Sequence, residues 1–256
     1  MNIIQAIILS VIEGLTEFLP ISSTGHLILA EHFLNIPSTE FVKSFDIIIQ
    51  LGAILAVVWL YWKKLLISRN LWKQIIIAFI PTGVLGLIFY SPIKHYLLDN
   101  IYVTIVSLFI GGIALLVIDR KFKEKNAITT SEKIGTKKLI TIGLFQSISM
   151  IPGISRSAAT IVGGLFTGLS RQEAVEFSFL LAIPTMTAAT GLDLIKTGHS
   201  FSPNEIVILS IGFVVTFFSA LIAVKAFTQY VANHNFKYFA IYRIILALVV
   251  LLTLAR

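Results

Sequence analysis

EGLTEFLPISSTGH, residues 13–26, and QSISMIPGISRSAAT, residues 146–160, decide how this chain is read. Each lies between apolar runs and places ionisable groups where a hydrocarbon environment tolerates them least, and at that depth such groups are functional candidates by default. Each also carries a proline or Pro-Gly followed by a cluster of serines. Proline ends a helix, and serine hydroxyls cap the start of the next. The two stretches therefore predict broken helices at membrane depth, which mark binding sites.

Outward from these stretches the chain is a membrane protein by composition. Its 256 residues are 56% hydrophobic and 13% charged, with a mean hydropathy of +0.90, outside the usual range of a soluble domain. Six apolar runs are long enough to cross about 30 Å of hydrocarbon as helices: Phe45–Trp62, Gln74–Tyr90, Asn100–Ile118, Ala174–Leu192, Ile206–Val224 and Tyr238–Ala255. The runs Met1–Ile12 and Leu139–Ile151 are shorter and suit re-entrant segments. The expected fold is all-α and polytopic, with six transmembrane helices plus two re-entrant helical hairpins. The opening run does not read as a signal peptide, because no Lys or Arg precedes it and Glu13 follows it.

The chain has no cysteine, which excludes disulfides, thiolate metal sites and cysteine-phosphatase chemistry. Its net charge of +7 is concentrated in loops. Lys63, Lys64, Arg69 and Lys73 share one loop, and Arg120, Lys121, Lys123, Lys125, Lys133, Lys137 and Lys138 share another. Lys225, Lys237 and Arg243 are assigned to the flanks of a third. The opposite loops and the end carry only Lys43, Lys94, Lys196 and Arg256. The basic loops are expected to face the cytoplasm, so the charge is a topology signal, and no nucleic-acid partner is expected.

This charge map lets one re-entrant unit enter from outside in the first half, and its counterpart enter from inside in the second. Three spans per half invert the repeat, whose boundaries fall at about 1–125 and 132–256 of a single membrane-embedded domain. A shift of 133 pairs Ile21 and Ser22 with Ile154 and Ser155, and Glu13 with Gln146; a shift of 132 pairs Phe45, Ala56 and Leu60 with Phe177, Ala188 and Leu192. The two interruptions then meet as facing tips, each presenting a helix start to one cavity. Helix N-termini with free amides and positive dipole ends form an anion site.

The residues of the tips suggest what that anion is. Arg156 is read as the one basic residue deep in the membrane, and its planar guanidinium suits bidentate contact with phosphate; the alternative is a structural pair with a glutamate. Glu13 and Glu17, four apart, share a helix face. They suit a divalent cation, Mg2+ or Ca2+, that keeps most of its water and takes other ligands from substrate; the alternative is that one pairs with Arg156. Ser23 and His26, three apart at a helix start, suit a hydroxyl with its proton acceptor. Ser22, Thr24, Ser155, Ser157 and Thr160 are candidate binding hydroxyls or caps. His32, His95, His199 and His234 read as solvated. A lipid-phosphatase pattern S-R-x5-H would need histidine where Val162 stands, and no P-loop occurs.

EGLTEFLPISSTGH and PGISRSAAT together resemble the two signature segments of the bacterial undecaprenyl-diphosphate phosphatase family, the bacitracin resistance proteins, and the likeness extends over essentially the whole chain. The resemblance implies hydrolysis of a C55 polyprenyl diphosphate lipid to its monophosphate and inorganic phosphate, recycling the carrier for peptidoglycan synthesis and conferring bacitracin resistance. It implies a multi-pass protein of the bacterial cytoplasmic (inner) membrane, with a site open to the extracytoplasmic face. It places the family's acidic pair on Glu13 and Glu17, its Ser and His on Ser23 and His26, and its arginine segment on Ser155 and Arg156. Oligomeric state stays open, a homodimer included. The competing reading is a flippase or secondary transporter for a polyprenyl phosphate, since inverted repeats with broken helices also serve transport.

Overall fold

The computed structural model describes residues 1–97, 101–121, 134–197 and 201–254. Lys123, Lys125, Lys133, His199 and Arg256, together with the side chains of Lys94, His95 and Lys196, lie outside what it describes. Among the described residues there are ten α-helices and no strand: α1 (Ile3–Thr16), α2 (Ser23–Phe33), α3 (Glu40–Ile67), α4 (Arg69–Tyr96), α5 (Ile101–Lys121), α6 (Thr136–Ile148), α7 (Arg156–Phe166), α8 (Arg171–Thr197), α9 (Pro203–Asn233) and α10 (Lys237–Leu254). Five of them, α3, α4, α5, α8 and α9, are long and apolar enough to cross a membrane. The chain is a multi-pass membrane protein.

The helices fall into two successive series of five with matching lengths. α1 and α6 have 14 and 13 residues, α2 and α7 both 11, and α3 and α8 have 28 and 27. The pairing of Ser22 with Ser155 recurs in the backbone: each is the N-cap of its helix, and each sits at a positive φ, 72° and 73°. The series interlock. α1 packs on α9 while its counterpart α6 packs on α4, and the central contacts join α3 to α8 and α5 to α10. α1 and α6 thus each lean on the other series, and the breaks that follow them are carried toward each other.

Glycines permit the close approaches. A Cβ on Gly14 would lie 2.6 Å from the Ser219 Cβ on α9, and one on Gly112 would lie 2.8 Å from Ile244 Cγ1 and 3.0 Å from the Ala240 carbonyl on α10. Gly163 and Gly164 meet α6 and α8 in the same way, at Phe145 and Ala174. Without an aqueous driving force, such small-residue contacts are how membrane helices gain van der Waals energy. The apolar surface runs outward instead: Leu87, Ile110, Phe218, Ile222 and Leu252 are all exposed.

Ion pairs tie together the ends that carry the basic loops. Lys64 at the end of α3 bonds to Glu176 on α8, and Arg171 Nε bonds to Asp119 Oδ1 at 3.0 Å, joining the start of α8 to the end of α5. His32 is exposed in the last turn of α2, and His234 is exposed as the C-cap of α9. Arg243 departs from expectation. It does not flank a loop but lies within α10 with no exposed surface. A guanidinium on one face of a helix can be covered completely when neighbouring backbone carbonyls satisfy its donors, which hydropathy along the chain does not register.

Gly112→Val should cost about 1–3 kcal/mol by overpacking the α5–α10 contact, measured as a fall in the unfolding midpoint of the detergent-solubilised protein; an unchanged midpoint would contradict this packing.

Candidate active site

The site is built where the two breaks meet. α1 ends at Thr16, and residues 17–22 turn the chain before α2 begins at Ser23; α6 ends at Ile148, and residues 149–155 turn it before α7 begins at Arg156. Ser22 Oγ accepts from the Gly25 amide at 3.4 Å, and Ser155 Oγ accepts from the Ala158 amide at 3.2 Å. These caps leave earlier first-turn amides of both helices without an intrahelical partner, as any helix start does. Holding a non-glycine residue at positive φ costs on the order of 1–3 kcal/mol, and such residues persist where the surroundings impose them, often at functional sites.

The tips are tied by side chains of opposite halves. Arg156 Nη2 donates to Glu17 Oε1 at 2.7 Å, in an ion pair whose side chains are 8% and 5% exposed. Glu17 Oε2 accepts from Ser23 Oγ at 2.6 Å. Ser157 Oγ donates to the Phe18 carbonyl at 2.7 Å, and the Arg156 guanidinium lies over the Phe18 ring. Glu17 therefore stands between the hydroxyl of one half and the cation of the other. Two polar groups are left over. Arg156 Nε is a buried donor without a hydrogen-bond partner, and both oxygens of fully buried Glu13 are acceptors without one.

Ser23 and His26 are both at the site but do not bond to each other. His26 Nδ1 meets the Ser22 carbonyl at 2.8 Å, so Nδ1 carries the hydrogen, and Nε2 meets the Tyr242 hydroxyl at 2.7 Å. The ring is held on its own helix turn and stacked on Tyr242. The serine instead reaches back across the break to Glu17, so the expected Ser–His couple is replaced by a Ser–Glu couple. The structural pair weighed for Arg156 is also real, yet it is the same contact that places the cation next to Ser23.

The remaining candidates divide. Ser22 and Ser155 are caps, and Thr24 is exposed. The Ser157 hydroxyl is occupied by the Phe18 carbonyl, and that of Thr160 by the Arg156 and Ser157 carbonyls and by Ser178 Oγ. Both read better as ties than as contacts for a ligand. Gln146, the counterpart of Glu13, is fully buried and bonded to Thr82 and Thr185, which makes the second half's position neutral and satisfied.

Three residues were missed in the sequence. Asp46 on α3 lies within electrostatic range of Glu13, and as a carboxylate beside Phe45 in an apolar span it carried a readable signal. Arg243 carried the same signal but stood near enough to Lys237 to pass for a loop cation. Tyr242 carried none, because a tyrosine in a membrane helix is ordinary.

The family described as bacitracin resistance protein BacA matches residues 6–249, which include both tips and Arg243. The chain belongs to that family. It is similar to proteins called undecaprenyl-diphosphatase: one from Aquifex aeolicus (strain VF5), 52% identical over 96% of this chain and 96% of that protein, and one from Persephonella marina (strain DSM 14350 / EX-H1), 50% identical over 98% and 99%. A third, from Methanococcus aeolicus (strain ATCC BAA-1280 / DSM 17508 / OCM 812 / Nankai-3), is 43% identical over all of both chains.

Glu17→Ala removes the partner of a buried arginine and should destabilise the protein by about 3–5 kcal/mol, whereas Glu17→Gln should lose less. Unfolding midpoints of the two variants in one detergent check the order.

Proposed function

We propose that this chain is an integral membrane phosphatase that hydrolyses undecaprenyl diphosphate to undecaprenyl phosphate and inorganic phosphate, returning the carrier lipid to peptidoglycan synthesis and thereby conferring bacitracin resistance. The observation that carries the reading is the couple of Ser23 Oγ with Glu17 Oε2 at 2.6 Å, with Arg156 on the other oxygen of the same carboxylate. A hydroxyl with a proton acceptor, next to a guanidinium, is what phosphoryl transfer needs and transport does not. The names of the relatives point the same way.

The topology of the reading is six spans and two re-entrant hairpins in an inverted repeat. α10, with 18 residues along α5, is the sixth span. The ion-paired ends of α3, α5 and α8 lie on the side of the basic loops, which face the cytoplasm, so the α1–α2 hairpin enters from the extracytoplasmic side and its site opens there. The membrane is the bacterial inner membrane, and the prenyl chain stays among lipid tails while the diphosphate reaches the tips.

In the mechanism the helix starts at Ser23 and Arg156, with the free Arg156 Nε, hold the diphosphate oxygens. Ser23 Oγ attacks the terminal phosphorus as Glu17 takes its proton. The bond from that phosphorus to the bridging oxygen breaks, and the prenyl monophosphate leaves. Water then displaces phosphate from Ser23, with His26 Nε2 accepting its proton beside the Tyr242 hydroxyl. A divalent cation, Mg2+ or Ca2+, fits this site: Glu13 offers two buried oxygens that no donor satisfies, beside Glu17, and these two carboxylates would hold the ion together with water and substrate oxygens. No group of three or more acidic, histidine or cysteine side chains suited to a metal occurs among the described residues, so the substrate must complete the shell. Such an ion would neutralise the charge that develops on the phosphate oxygens.

The test is phosphate release from farnesyl or undecaprenyl diphosphate by the purified protein, with Mg2+, Ca2+ or chelator. Arg156→Ala should lower kcat by about 100-fold or more; equal release by wild type and Arg156→Ala would defeat the hydrolase reading of these tips. Full activity of the Glu13→Ala, Glu17→Ala double variant at saturating cation would defeat the cation assignment alone. Rapid-quench trapping should recover phosphate on Ser23, and a trapped enzyme with none would assign the attack to water.

A further inference from the structure

Arg243 takes no part in that mechanism, and its surroundings are unusual for a charge in a membrane protein. It has no exposed surface and, among the described residues, no carboxylate partner. Its donors go to four backbone carbonyls: Nη1 to Pro20 at 3.2 Å, Nη2 to Gly153 at 2.9 Å and Ser107 at 3.4 Å, and Nε to Leu108 at 3.4 Å. Pro20 and Gly153 belong to the two breaks, one from each half. Their carbonyls lie outside any helix and accept no backbone amide among the described residues. In hydrocarbon an unpaired carbonyl finds no substitute partner, so each tip has a site that must be filled, and a single guanidinium fills both.

We infer that Arg243 is a positioning residue for the hydrolysis: it holds the two tips in register, so that Glu17 and Ser23 of one meet Arg156 of the other. The geometry is specific to arginine. Four acceptors in three segments need donors diverging in one plane, which a guanidinium provides and a lysine ammonium on a single point does not. Room for the group is reserved by Gly111 on α5, where any Cβ would overlap the guanidinium. The charge, unpaired with any carboxylate, also lies close enough to act on His26, so it adds positive potential at the tips where the diphosphate binds. Arg243 touches neither Ser23 nor Glu17 and acts through the backbone at Pro20 and Gly153.

The test uses the full-length protein in detergent with the phosphate-release assay. Arg243→Lys keeps the charge and loses the fork; it should lower kcat at least 10-fold and leave KM within about threefold, while Arg243→Ala should lower kcat further and raise KM. Gly111→Ala keeps the arginine and should reproduce the loss in kcat by displacing it. Guanidinium ion at millimolar concentration should restore part of the Arg243→Ala activity, and equal ethylammonium should not. Unfolding midpoints are recorded for all variants. Wild-type kcat in Arg243→Lys would overturn the inference. So would equal losses in the lysine and alanine variants that track a lowered unfolding midpoint and show no rescue by guanidinium, because these would mark a structural residue only. Inactive wild-type protein would instead count against the hydrolase reading on which the inference rests.

Discussion

Backbone groups released at two helix breaks must find partners in a medium that has none, and much of this structure follows from that demand. Where α1 and α6 end inside the apolar body, carbonyls and amides are freed that neither lipid nor bulk water can satisfy. The protein answers with side chains brought from elsewhere in the chain. Ser157 bonds to the Phe18 carbonyl, and Arg243 bonds to those of Pro20 and Gly153. The first break is satisfied by the second half, and one arginine serves both breaks, so the two tips are built together. The interlocking of α1 with α9 and of α6 with α4 is the packing expression of the same dependence.

The site is the residue of that arrangement. Once carbonyls and caps are satisfied, the groups left without a hydrogen bond among the described residues include the Arg156 Nε, the Glu13 carboxylate and the first amides of the two helices. A free buried donor costs energy, as does a free buried carboxylate, and together they are complementary to an anion and a cation. The asymmetry between the halves fits this view. Gln146, in the position of Glu13, is neutral and bonded to Thr82 and Thr185. The equivalent position is thus acidic in one half and neutral in the other.

Much of this was legible along the chain. Helix content follows from long apolar runs, and the two breaks follow from Pro20 and from Pro152–Gly153, each ahead of serines. The likeness of the tips could be read from Ile21–Ser22 and Ile154–Ser155, and the backbone repeats it at Ser22 and Ser155. What could not be read was who meets whom. Ser23 and His26 sit three apart, and proximity in sequence suggested a couple; the helix start turns the serine back to Glu17 and fixes the imidazole between Ser22 and Tyr242. Arg243 was misplaced because distance along the chain from Lys237 says nothing about the face of α10 it occupies.

The sequence by itself determined that this is a helical membrane protein with two polar interruptions, and which residue types those interruptions hold, because hydropathy, proline and serine act over a few neighbouring residues. Only the tertiary structure decided that Glu17 joins Ser23 to Arg156, that Ser157 and Thr160 serve as ties, and that a buried arginine near the end of the chain spans both tips. The pairings of Arg156 with Glu17, of Ser157 with Phe18 and of Arg243 with Pro20 link positions 139, 139 and 223 residues apart, where no local propensity operates and the partner is selected by which arrangement leaves the fewest buried polar groups unsatisfied.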